Sequence, residues 1–96
     1  MSEISIEDFS KIKKTSQIID IREAYEYDMG NIPNSYHIPM NDILHSIDKI
    51  DNTKSLIIYC QSGRRAAAVV YMLKRNYGIK NVYNLKGGFS EYKSQI

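Results

Sequence analysis

A single cysteine, two prolines and no tryptophan are the scarcest features of this 96-residue chain. One cysteine, Cys60, excludes an internal disulfide. It also excludes a multi-cysteine zinc site and leaves no resolving thiol within the chain. A lone and reactive thiol suits a reducing compartment, so a cytoplasmic location is expected. No apolar run approaches membrane-spanning length, and Met1-Ser2-Glu3-Ile4-Ser5 has no basic region followed by an apolar stretch. No secretory signal and no membrane contact are therefore expected. His37 and His45 are too few and too scattered to suggest a metal site. Repeats, low-complexity tracts and linkers are absent, and the length suits one domain spanning residues 1–96.

What is present is 43% hydrophobic residues, enough for a packed core. The net charge of +2 is unevenly spread. Residues 1–59 hold six Lys/Arg and ten Asp/Glu, a net of −4, and residues 60–96 hold seven Lys/Arg and one acid, a net of +6. Solvated helix faces account for most of the lysines. Arg64 and Arg65 stand beside the thiol and point to an anionic ligand. The basic residues form no dense stripe and the tyrosines do not alternate with arginines, so no nucleic-acid partner is expected.

Short apolar runs alternate with helical patterns, which predicts a parallel α/β sheet. The runs Ile4–Ile6, Gln17–Ile21, Ser35–Ile38, Leu56–Tyr59 and Asn81–Leu85 read as strands, with Leu56–Tyr59 central. Pro33 and Pro39 bound the third. Ser5 and Asp8 suggest a capping box for a helix to about Lys13. Glu23–Met29 reads as a short helix closed by Gly30. Asn41 is expected to cap a helix with Ile43, Leu44, Ile47 and Ile50 on one face. Ala66–Tyr77 reads as the longest helix, ended by Gly78, and Gly87-Gly88 leads into a last one from Phe89. Ligands of open parallel sheets bind beyond the carboxyl ends of the strands. Cys60 and Asp20-Ile21-Arg22 both lie at such ends, so they are expected to meet at one rim.

Cys60 follows the central strand and precedes the long helix. A thiol there meets unpaired N–H groups and the positive end of a helix dipole, which favours the nucleophilic thiolate. The six residues Cys60-Gln61-Ser62-Gly63-Arg64-Arg65 can curl so that backbone N–H groups converge, with Gly63 supplying the bend. Such an anion cradle could serve attack on an anionic sulfur donor, a persulfide on Cys60, or attack on a phosphate or arsenate ester. Cysteine phosphatases place five residues between cysteine and arginine, whereas here Arg65 follows after four. The tighter loop suits one sulfur atom better than a phosphoryl group. Arg65 is expected to fix the loop through a salt bridge, to Asp20 or a nearby glutamate, or to meet ligand. Arg64 is expected at the solvent side, Asp20 in a structural role, and Arg22 as a rim contact.

The sequence resembles the single-domain rhodaneses, the thiosulfate-type sulfurtransferases. The resemblance runs from about Gln17 to Tyr92. It rests on Ile18-Ile19-Asp20-Ile21-Arg22, on Glu26-Tyr27 and Gly30-Asn31-Ile32-Pro33-Asn34-Ser35, on His37-Ile38-Pro39, on the Cys60–Arg65 loop, and on Leu85-Lys86-Gly87-Gly88-Phe89. Asn31 and Asn34 depart from the usual His-Ile-Pro-Gly-Ala, and Tyr92 stands where tryptophan is common. The resemblance implies an α/β fold with a five-stranded, mainly parallel sheet flanked by helices on both faces. It implies that Cys60 accepts a sulfane sulfur and passes it on, with Gln61, Ser62, Gly63, Arg64 and Arg65 binding substrate and no cofactor. The expected partners are a small anionic sulfur donor and a thiol or protein-cysteine acceptor, with the protein a monomer or weak dimer. A binding class stays open, in which the domain is a sulfur carrier or interaction module with little turnover. A cysteine phosphatase or arsenate reductase on the same fold is the third alternative.

Overall fold

Five strands in the order β1-β5-β4-β2-β3, all parallel, form one sheet in the computed structural model, which describes residues 2–95. They are β1 (Glu3–Ile4), β2 (Gln17–Asp20), β3 (Tyr36–His37), β4 (Leu56–Tyr59) and β5 (Val82–Leu85). The helices are α1 (Ile6–Ile12), α2 (Ala24–Asp28), α3 (Met40–Ile43), α4 (Arg64–Tyr77) and α5 (Gly88–Ser94). Strand β4 is central, as its unbroken apolar run requires, with every residue buried.

Alternation along each strand divides the core in two. Ile19, Leu56, Ile58 and Val82 face α3 and α4, where they meet Ile43, Ala66, Val70 and Leu73. Ile18, Ile57, Tyr59 and Leu85 face the other side, against Phe9, Ile32 and Tyr92. Helices thus cover both faces. Tyr92 fills its place with edge-on and stacked contacts to Phe9 and Phe89, at centroid distances of 6.3 and 6.2 Å.

Local chemistry sets the element ends. Ser5 Oγ accepts the Asp8 N–H at 3.1 Å, so the chain turns into α1 at Ile6 and β1 ends at Ile4, shorter than expected. Asn41 is not a cap. Pro39 occupies that position, α3 stops at Ile43, and a separate 3-10 turn covers Ile47–Lys49. Proline suits a helix entry, whereas the hydroxyl of Ser46 turns back onto the Asp42 carbonyl at 3.0 Å. The apolar face is kept: Ile43 is buried, and Leu44, Ile47 and Ile50 pack on the same cluster. Asn34 has φ +67, a left-handed backbone at the place where the signature has glycine. Asparagine tolerates that conformation better than other residues with side chains.

The register Asp20↔Tyr59 aligns the ends of β2 and β4, and Ile21 N–H continues the ladder to the Tyr59 carbonyl at 3.1 Å. The Asp20–Arg22 segment and Cys60 therefore do meet at one rim.

Candidate functional site at the carboxyl end of the sheet

Cys60 is fully buried. Its Sγ accepts the Gly63 N–H at 3.1 Å and the Ala66 N–H at 3.3 Å. Two backbone donors on one sulfur are what a negative charge there requires. Gly63 has φ +99, a conformation closed to most residues, and this turns its N–H inward. Helix α4 begins at Arg64, two residues earlier than the apolar pattern suggests, so its dipole bears on the loop. The N–H groups of Gln61, Ser62, Arg64 and Arg65 have no acceptor among the described residues.

The loop owes its shape to α5. Phe89 N–H donates to the Cys60 carbonyl at 2.8 Å, and Ser90 N–H to the Gln61 carbonyl at 3.0 Å. In a planar trans peptide, C=O and N–H point opposite ways. Tethering those two carbonyls toward α5 turns the N–H groups of Gln61 and Ser62 to the other side. Gly88 makes this approach possible: a Cβ there would lie 2.4 Å from the Cys60 carbonyl oxygen. The Gly87-Gly88 turn is thus a requirement of the loop.

Arg22 is an interior residue, not the rim contact expected from its place at a strand end, and is only 2% exposed. Its guanidinium donates to the Asp20 carboxylate through Nε at 3.0 Å and Nη2 at 2.8 Å. It also reaches the Gly30 carbonyl at 2.7 Å and Gln61 Oε1 at 3.0 Å. Its carbon lies 4.4 Å from the centroid of the Phe89 ring. Burial opposes the charge, but the hydrogen bonds and charge of Asp20 outweigh it and raise the guanidinium above its ordinary value. Asp20 is fully buried and also accepts the Arg22 N–H at 2.8 Å, which fits a structural role. Through Arg22 this pair joins the segment after α2, α5 and the second residue of the cysteine loop. Gln61 completes the link by donating to Ser90 Oγ at 2.9 Å.

Arg65 is held by a nearby glutamate. Its Nη1 and Nη2 donate to the two oxygens of Glu26 at 3.1 and 3.2 Å. The Arg65 hydrogen bonds hold the Glu26 carboxyl below the usual carboxylate range, and Glu26 in turn raises Arg65. Arg64 and Ser62 are exposed at the loop's outer edge. Tyr59, under the loop, accepts the Ile32 N–H through its hydroxyl at 3.1 Å and lies 3.1 Å from Ser35 Oγ. Burial pushes its phenol well above the usual tyrosine value, against the opposing pull of Ser35 and Ile32.

Cys60–Gly63 thus form the turn and Arg64 and Arg65 open α4, with Arg65 engaged by Glu26 and Arg64 exposed at the surface. Sequence reasoning missed Asn84 of β5, whose Nδ2 donates to the Gly63 carbonyl at 3.0 Å. A polar residue at an inward-facing strand position was the available signal. Among the described residues no group of three or more His, Cys, Asp or Glu could hold a metal ion. No described helix is long and apolar enough to cross a membrane.

The sequence pattern of the Rhodanese-like domain matches residues 5–95. An uncharacterized protein of Bacillus subtilis, YqhL, is 31% identical over 96 residues, covering all of this chain and 75% of that protein. The putative sulfur carrier protein YrkF of the same organism is 30% identical over 94% of this chain and 50% of its own length. A tRNA uridine(34) hydroxylase of Buchnera aphidicola is 34% identical over 82% of this chain but only 27% of that protein. The chain therefore spans half or less of these last two relatives. The crystal structure of a rhodanese-like domain protein from Staphylococcus aureus superposes with a TM-score of 0.86 at 33% identity, over 96% of this chain and 91% of that one.

Proposed function

The chain belongs to the rhodanese-like domain family, and from that premise we propose that it is a sulfurtransferase working through a persulfide on Cys60. The observation that carries this reading is the sulfur itself, held by the Gly63 and Ala66 N–H groups inside a four-residue-spaced loop. The N–H groups of Gln61, Ser62, Arg64 and Arg65, without acceptors among the described residues, remain to receive an anion. The loop is one residue shorter than a phosphatase loop, so it closes around a sulfur atom more readily than around a tetrahedral phosphoryl group.

The Cys60 thiolate attacks the outer sulfur of an anionic donor such as thiosulfate. A bond forms between Cys60 Sγ and that sulfur, the S–S bond of the donor breaks, and sulfite leaves with the electron pair. The persulfide anion rests among the N–H groups. A nucleophilic acceptor then attacks the outer sulfur and the Cys60 thiolate is released. This is double displacement by covalent catalysis. Arg64 at the outer edge meets the donor's charge. Arg65 orients the loop through Glu26.

A sulfur-carrier reading has its own support. Tyr25 and Met29, one turn apart on and just after α2, are 67% and 85% exposed. The Glu26–Arg65 pair holds that helix against the cysteine loop. An exposed apolar pair on the helix whose Glu26 reaches the loop suits a protein bearing an acceptor cysteine better than a small thiol. Turnover of thiosulfate with cyanide, by the protein and by Cys60→Ser, tests the proposal, with an aryl phosphate as the rival substrate. Thiocyanate formed only when Cys60 is present is expected. Hydrolysis of the aryl phosphate in its place would overturn the reading. Slow turnover, joined to disulfide trapping of one acceptor protein that Met29→Asp abolishes, would favour the carrier.

A further inference from the structure

We propose that Asn84 is a positioning residue for the Cys60 cradle: its side-chain amide aims the backbone donors of the loop's second half at the sulfur site. The proposal deepens the sulfurtransferase reading and rests on it, since it concerns the same cradle.

Asn84 lies on the α4-facing side of β5, opposite Ile58 in the register, and is 4% exposed. Its Nδ2 donates to the Gly63 carbonyl at 3.0 Å. That oxygen also accepts the Ala67 N–H at 3.1 Å, at the start of α4. Two donors on one carbonyl fix the peptide between Gly63 and Arg64. Because that peptide is planar and trans, its N–H, belonging to Arg64, is turned away from Asn84. On the other side of the same Cα, Gly63 has φ +99 and its own N–H reaches Cys60 Sγ at 3.1 Å, so the fixed carbonyl and the sulfur-bound N–H belong to one residue.

The other half of the amide argues that this is not a packing choice. Asn84 Oδ1 is buried and has no hydrogen-bond partner among the described residues. An unsatisfied buried acceptor is costly, and an apolar residue of similar shape would avoid the cost. The position therefore keeps an amide for what its donor does. Helix α5 tethers the Cys60 and Gln61 carbonyls by its backbone. Asn84 tethers the Gly63 carbonyl by a side chain, so the loop is held from two sides. The second hold is open to substitution without altering the backbone.

The test compares Asn84→Leu, which keeps the bulk and removes the donor, with Val82→Ala, which loosens the same face of β5 away from the loop. The pH profile of Cys60 alkylation by iodoacetamide is read for each folded variant. Asn84→Leu is expected to move the profile upward by about one pH unit, a tenfold loss of thiolate at a given pH. Val82→Ala is expected to lower the melting temperature and leave the profile in place. An unmoved profile in folded Asn84→Leu would overturn the proposal, as would an equal movement in Val82→Ala. In the unsubstituted protein, the Asn84 side-chain NH2 resonances should be slow to exchange and should titrate together with Cys60. Rapid exchange, or no response to that titration, would also overturn it, whether or not the variant folds. Alkylation reads the thiol alone. A protein that takes no sulfur from thiosulfate yet shows the Asn84→Leu movement would refute the sulfurtransferase reading and leave this positioning role standing.

Discussion

Gly88→Ala should cripple the cysteine loop, whereas Gly78→Ala should not. Both glycines have positive φ, +61 and +64, so each alanine pays for a left-handed backbone, about 1–2 kcal/mol. At Gly78 nothing among the described residues lies within 4 Å of the added methyl, and the cost ends there. At Gly88 the methyl would lie 2.4 Å from the Cys60 carbonyl oxygen and 2.7 Å from the carbonyl carbon and oxygen of Gln61. Those atoms are backbone and cannot rotate aside. Relief requires α5 to withdraw, which breaks the Phe89 and Ser90 N–H bonds to the loop. Forced repacking of this kind adds about 1–3 kcal/mol, for a total of about 2–5 kcal/mol. Urea denaturation of the two variants measures the difference. Alkylation of Cys60 in the folded variants measures the chemical effect. Gly88→Ala is expected to be the less stable by about 1–3 kcal/mol and to lose the unsubstituted protein's alkylation profile. Equal stability, with equal Cys60 reactivity, would refute the argument that α5 shapes the cradle.

Two further outcomes follow from the buried ion pair and its neighbour. Arg22→Met should destabilise the fold by about 3–5 kcal/mol, because Asp20 would be left charged and fully buried. Adding Asp20→Asn should recover part of the loss in the same denaturation assay. Glu26 titrates below its ordinary value when folded, so its contribution is complete above about pH 4.3 and is lost as pH falls through the lower, folded value. Melting temperature followed downward from pH 5 should fall more steeply for the protein than for Glu26→Gln, and parallel curves would contradict the Glu26–Arg65 pairing.

The sheet was legible because its signal is strong and local. Leu56-Ile57-Ile58-Tyr59 has no polar face to confuse a buried strand with an edge, and the punctuation by Gly30, Gly78 and Gly87 marks the ends of its connections. The cysteine loop was legible because its residues are contiguous. Arg22 was misplaced because an arginine at a strand end usually reaches water. Its burial depends on Asp20, Gly30, Gln61 and Phe89, two of which, Gln61 and Phe89, are distant in the chain. Asn84 was missed for a related reason: its partner, the Gly63 carbonyl, lies 21 residues away and carries no sequence signal. The helix read from Asn41 onward failed at its start and middle, where Pro39 took the entry and the Ser46 hydroxyl turned back on the helix backbone. Its apolar spacing still found the right core.

The most direct test of the account is the mass of Cys60 after exposure of the folded protein to thiosulfate. The account predicts a gain of one sulfur atom on the peptide carrying Cys60, removed by cyanide and absent in Cys60→Ser. A folded protein whose Cys60 can be alkylated but gains no sulfur would contradict it.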